Sequence, residues 1–211
     1  MRRLLFLLGL LILAVCWLGP LPQLARQAFF AHMTMHMGVV AVAAPLLALG
    51  SAGGRLDPVL HAPRLFAPIP ASMLELVVVW AWHAPALHSA ARHHAFALAA
   101  EQGTFLFTGL LLWCSAFGGE EKRSMQRRAA AVVALLLTSM HMTLLGALLA
   151  LTPRALYAHD ENTFNLSALE DQHLGGAIML LAGGISYLAG GLWLMIGLVR
   201  HRALKPGQET S

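Results

Sequence analysis

The chain has 211 residues, of which 58% are hydrophobic and only 11% are charged, with a formal net charge of +4 at pH 7. Soluble domains carry about 25% charged residues, so a chain with less than half of that cannot coat its surface in solvated charge. An ordinary soluble globular protein, a disordered tail and a nucleic-acid module are thereby excluded, and the positive balance reports basic loops that set membrane orientation.

A membrane helix needs about 20 mostly apolar residues, and six segments meet that need in chain order. The first covers residues 4–19 and stops at Pro20 and Pro22. Its Arg2-Arg3 start resembles a secretory signal, but there is no clean small-x-small cleavage site and Val15 spoils a lipoprotein box at Cys16, so a retained helix is expected. The second covers 29–49 and stops at Gly50, Ser51, Gly53 and Gly54. The third covers 71–87, with Pro85 expected to bend it at Trp82 and His83. The fourth covers 95–117, ahead of Gly118 and Gly119; the fifth covers 129–151, ahead of Pro153; the sixth covers 174–199. Short connections leave one all-α transmembrane helical domain over residues 1–211. In lipid every backbone group must be bonded internally, which makes helices the reading for segments of this length.

Lysine and arginine orient the bundle. With the N-terminus inside, Arg2, Arg3, Arg55, Arg64, Lys122, Arg123, Arg127, Arg128, Arg200, Arg202 and Lys205 fall on the inner side, against Arg26, Arg92 and Arg154 outside. This bias predicts that both termini face the cytoplasm. Of the eleven histidines, His61 and His201 fall inside; His32, His36, His83, His88, His93, His94, His141, His159 and His173 approach the outer face.

The densest polar run is His32-Met33-Thr34-Met35-His36-Met37, at the outer end of the second span. In a helix His32 and His36 are i and i+4 and share a face, bordered by Met33 and Met35. Met140-His141-Met142 in the fifth span reaches a similar depth. Imidazole with thioether is a soft, neutral ligand set that suits copper far better than magnesium, calcium or manganese, and a neutral set costs less to bury in a bilayer than carboxylates do. The two cysteines, Cys16 and Cys114, are too few for a disulfide framework or a thiolate cluster. The competing reading is packing, because methionine fills gaps in membrane cores. That reading prevails for Met179 or Met195 taken alone and for His93 and His94. For the sextet, spacing, side and chemistry agree on metal.

Other polar residues fall within the spans. Glu75, Trp82 and His83 share a stripe of the third span, and a carboxylate in lipid marks function by default. Glu101 lies near the outer end of the fourth span, within reach of a histidine. Asp171-Gln172-His173 opens the sixth, where aspartate is often a cap. Gly175-Gly176 and Gly183-Gly184 permit close helix packing.

Taken in order, His32-Met33-x-x-His36-Met37, Trp82-His83-x-Pro85, Glu101 before Trp113, His141-Met142-x-Leu144-Leu145-Gly146 with Leu156-Tyr157 beyond, and Asp171-Gln172-x-x-Gly175-Gly176-x-Ile178-Met179 resemble the CtaG-type cytochrome c oxidase assembly factors, polytopic membrane proteins of bacteria. The resemblance covers roughly residues 29–195. It implies a non-catalytic role in maturing a haem-copper oxidase through its copper, at the inner membrane, with an oxidase subunit as recipient. His32, His36, His83, His141 and Asp171 are the family-like polar positions, accompanied by Met33, Met37, Met142, Gln172 and Met179.

Two other functions compete. A haem-binding electron carrier or haem-modifying protein needs single imidazoles facing each other across helices, not clustered runs at one end. A copper transporter needs a polar path through the inner half, where Glu75 is the only carboxylate in a span. Hydrolase and transferase motifs are missing from the sequence. The expected metal set is therefore His32, Met33, Met35, His36, Met37, His83, His141, Met142 and Asp171. Glu75, Glu101, Gln172, His173 and Met179 are further candidates.

Overall fold

A computed structural model describes residues 1–119, 125–157 and 164–203, with the side chains of 201–203 excepted. Lys122, Arg123, His159 and Lys205, and the side chains of His201 and Arg202, lie outside the described residues. Within them the regular structure is helical throughout. Helix α1 (Arg2–Leu18) ends at Gly19. Pro20 then caps α2 (Leu21–Gln27), whose axis is turned 47° from that of α1. Helix α3 (Phe29–Met37), a π-helical stretch (Gly38–Ala43) and α4 (Ala44–Ser51) follow one another as a single apolar rod of 23 residues. A single turn, α5 (Pro58–His61), precedes α6 (Pro68–Trp82) and α7 (Pro85–His93). Three long helices complete the chain: α8 (Ala95–Phe117), α9 (Met125–Leu151) and α10 (Ala168–Ala203).

Four helical segments are long and apolar enough to cross a membrane: Phe29–Ser51, Ala95–Phe117, Met125–Leu151 and Ala168–Arg200. The bent pair α1 and α2 makes up to five. The departure from the sequence reading is at the third segment. Instead of one bent helix over 71–87 there are two helices, because Pro85 occupies the first turn of α7, where its missing N–H costs nothing. His83 closes α6, which has 15 residues, about 22 Å of rise against a hydrocarbon core of about 30 Å. The sixth segment begins six residues earlier than its hydropathy indicates, at Ala168. Ser167 and Glu170 form a reciprocal capping pair there, with the Ser167 amide and hydroxyl donating to Glu170 Oε2 at 2.8 and 2.7 Å and the Glu170 amide donating back to Ser167 Oγ at 3.3 Å.

Helix α10 lies against α9 and α3, α1 against α4, and α6 against α8 and α9. Trp113, Tyr187, Phe29 and Phe105 fill the centre. Small residues bring the backbones of α9 and α10 together. A methyl group added at Gly176 would come within 2.5 Å of the Ala150 amide nitrogen, and one added at Gly146 within 2.6 Å of the Leu180 amide nitrogen. At one end of the bundle Asp57 is fully buried and accepts from the amides of Gly53, Val59 and Gly119, at 2.7, 3.0 and 2.6 Å. This ties the loop before α5 to the end of α8. The four-imidazole cluster described next is carried by α3, the end of α6, and α7.

The α9–α10 contact generates a test. Gly176→Val puts three carbons where none fit, and overpacking of this kind costs about 1–3 kcal/mol. The expected outcome in detergent is a thermal midpoint lowered by roughly 2–10 °C, whereas Gly197→Ala, at a position with open space around it, leaves the midpoint in place.

Candidate metal centre

Helix α3 presents two faces. His32 and His36, one turn apart, point toward α6, α7 and α8. The His32 ring meets His88 with centroids 4.6 Å apart, and the His36 ring meets His83 at 5.6 Å and Phe105 at 3.9 Å. Met33 and Met37 point the other way. Met33 Cγ lies 3.0 Å, and Met37 Sδ 3.6 Å, from where a Cβ would stand on Gly175 and Gly183 of α10. The glycines of α10 thus make room for the thioethers, and the sextet divides into an imidazole face and a packing face. Met35 is buried as well.

The helix break at residues 83–85 builds the opposite wall. His83 Nδ1 bonds its own helix at the Val79 carbonyl, 2.7 Å away. Its main-chain carbonyl accepts from the Tyr157 hydroxyl at 2.7 Å. Burial pushes that hydroxyl above its ordinary pKa, so it stays a donor. One turn into α7, His88 is enclosed by the rings of His32, Phe29 and Tyr157, at 4.6, 5.2 and 4.4 Å. From α8, Glu101 reaches His32 Nε2, with both carboxylate oxygens 3.0 Å away. Gln102 Nε2 donates to Glu101 Oε2 at 3.2 Å. All five of these site residues are buried, His32, His36 and Glu101 at 1% exposure or less.

One ligand atom from each of His32, His88 and Glu101 lies within 4.8 Å of the other two. In addition His32 Nδ1, both ring nitrogens of His36, and His83 Nε2 are buried with no hydrogen-bond partner. Buried polar atoms are paired in the great majority of cases, so four unpartnered nitrogens in one cluster are unusual and leave lone pairs available to a ligand. Metal–ligand distances of about 2.0–2.2 Å for nitrogen and carboxylate oxygen require the three atoms to stand closer together than the 4.8 Å within which they lie here. The donor set is imidazole and carboxylate, which suits copper or zinc.

The remaining expected residues fall elsewhere. His141 is buried with both ring nitrogens unpartnered, but shares no hydrogen bond or ring contact with the four imidazoles. Met142 packs on Gly183, and Met179 is fully buried. Asp171 uses its carboxylate as a cap, yet for a neighbouring helix: its oxygens accept from the amides of Phe29 and Phe30 at 2.7 and 2.8 Å. Gln172 accepts from the Leu156 amide at 2.6 Å and donates to the Leu149 carbonyl at 3.3 Å. His173 Nε2 meets the Thr152 carbonyl at 2.9 Å. Glu75 is paired with Tyr187, away from the cluster. The residue that sequence reasoning passed over is His88. Its signal was the helix start at Pro85, which places His88 one turn in, beside His83.

Residues 1–201 match the family model described as cytochrome c oxidase caa3 assembly factor (Caa3_CtaG). No curated protein and no solved structure matches the chain.

Because Asp171 caps α3, its removal strands two amides at the helix start. Asp171→Ala is expected to cost about 1–3 kcal/mol and to lower the thermal midpoint by roughly 2–10 °C. Asp171→Asn, which keeps one acceptor oxygen, should lose less. Equal midpoints for wild type and Asp171→Ala in a thermal-shift assay would contradict the capping role.

Proposed function

Since the chain belongs to the Caa3_CtaG family of cytochrome c oxidase assembly factors, we propose that it takes up copper at the imidazole cluster and passes the ion to an oxidase subunit. The observation that carries this reading is the set of unpartnered ring nitrogens of His32, His36 and His83, beside the convergent His32–His88–Glu101 triad. Copper is here a cargo. His32, His88 and Glu101 would hold it, with His36 and His83 as the adjoining imidazoles that accept or release it. No reacting substrate is invoked, and the role is non-catalytic.

The thioethers have a smaller part than their sequence suggests. Met33 and Met37 serve the α3–α10 contact, so the proposed ligands are the imidazoles and Glu101. A haem reading gains no support from the spacing. Haem ligation needs a macrocycle between two imidazoles, and here the paired rings stand at 4.6 and 5.6 Å with Phe105 3.9 Å from His36. The proposed orientation has six crossings, α6 with the turn at His83 supplying the one between α4 and α8. Both termini are cytoplasmic and the cluster faces the periplasmic side of a bacterial inner membrane, because the basic residues gather at the other end.

The test is metal content and absorption of the detergent-purified chain expressed with added copper. About one copper per chain, without a Soret band, is expected. His32→Ala/His36→Ala should lose most of that copper, and His88→Ala should weaken its retention. Met33→Leu/Met37→Leu should keep it. Unchanged copper in the double histidine variant would overturn the site, and a Soret band with iron would replace copper by haem.

A further inference from the structure

About two turns along α6 from His83, roughly 12 Å of rise, a second buried polar group stands outside the imidazole cluster. Glu75 is 0% exposed. Its Oε1 accepts from the Tyr187 hydroxyl of α10 at 2.5 Å. Its Oε2 is buried with no hydrogen-bond partner. The surroundings come from every neighbouring element. Tyr187 also lies 3.4 Å from the Val40 carbonyl in the π-helical stretch, and Trp113 of α8 donates to that same carbonyl at 3.0 Å. From α9, Thr138 reaches α6 through Ser72, 2.8 Å away and one turn before Glu75. Among the described residues, no lysine, arginine or histidine forms a hydrogen bond or ion pair with Glu75; the one titratable partner is Tyr187.

An ionised carboxylate accepts only, with about four lone-pair sites. Here one donor serves it, inside a membrane-spanning bundle, and a charge so poorly solvated is costly in lipid. Two occupants would relieve the free Oε2. A divalent cation needs about six oxygens, and this place offers few, since the Val40 carbonyl already receives Trp113. A proton needs one covalent bond, and it leaves Oε1 as the carbonyl that Tyr187 donates to.

We propose that Glu75 is a proton-binding site of the bundle: Oε2 holds a proton at neutral pH, and Tyr187 hydrogen-bonds the resulting neutral carboxylic acid. Its donor set is oxygen alone, so it is chemically distinct from the nitrogen cluster and its ligand is the proton, not the metal cargo. Glu75, Val79 and His83 follow at i, i+4 and i+8, and His36 and Val40 at i and i+4. The two sites are thus two turns apart along α6, and Tyr187 links Glu75 to the π-helical stretch that follows α3.

The experiment is infrared spectroscopy of the full-length chain in detergent at neutral pH, in H2O and D2O, without added metal. The carbonyl stretch of a protonated carboxylic acid is expected in wild type, moved to lower frequency in D2O, and lost in Glu75→Gln. Glutamine mimics the neutral acid, so the thermal midpoint should hold. Should Glu75→Gln fail to fold, Tyr187→Phe serves: removing the phenol donor moves the band to higher frequency if the acid is neutral. Absence of the band in wild type, its persistence in Glu75→Gln, or no movement in Tyr187→Phe overturns the proposal. Disappearance on adding sodium or magnesium overturns it too, by placing a cation at Glu75. Copper content plays no part in this readout, so loss of the copper reading leaves it standing.

Discussion

The carboxylate of Asp171 holds the amides of Phe29 and Phe30, and the geometry of the imidazole cluster descends from that pair of bonds. The first amides of a helix have no partner within it. Where the helix begins against apolar neighbours, water is a poor substitute, so a cap from another element fixes both the position and the rotation of the helix. Rotation decides everything on α3, because His32 and His36 must turn one way and Met33 and Met37 the other. The next residue, Gln172, pins the Leu156 amide and so the neighbouring Tyr157. The Tyr157 hydroxyl in turn holds the His83 carbonyl, and its ring stacks on Phe29 at 4.5 Å. Two consecutive side chains of α10 therefore set both walls of a cluster to which α10 lends no imidazole.

The helix break at His83 and Pro85 adds what a continuous helix could not. On one rod His83 and His88 would be separated by five residues, about 140° around the axis, and would face different neighbours. With α6 ended and α7 restarted, both rings turn to α3, one to each of its histidines. Glu101 completes the set from α8. The ring nitrogens left without hydrogen bonds are then a tertiary product, because each ring on its own helix would find water or a carbonyl.

Elsewhere many polar groups of the bundle are satisfied side chain by side chain, with Glu75 Oε2 and the ring nitrogens of His141 as exceptions. The π-helical stretch offers the carbonyls of Val40 and Ala41, which receive Trp113 and, at 2.7 Å, Ser186. Such a register change inside a long helix is commonly found at functional places. Here it lies between the imidazoles and Glu75.

The sequence by itself determined the class and the punctuation. Hydropathy and the Gly and Pro breaks are local properties, and apolar segments of this length in lipid bond their backbone groups internally as helices. Residues 95–117 are accordingly the limits of α8 in both readings, and the i, i+4 spacing put His32 and His36 on one face. What only the tertiary structure decided is which faces meet. Asp171 read as a metal ligand or as the cap of its own helix, and its carboxylate caps another. The methionines read as ligands beside the histidines and turn to glycines of α10. His88 and Glu101 became partners of His32 although 56 and 69 residues, respectively, separate them from it. Rotation and pairing of helices depend on where backbones approach closely, at Gly146 and Gly176 above all, and on caps that cross between elements. These are relations between distant segments, and no window along the chain contains them.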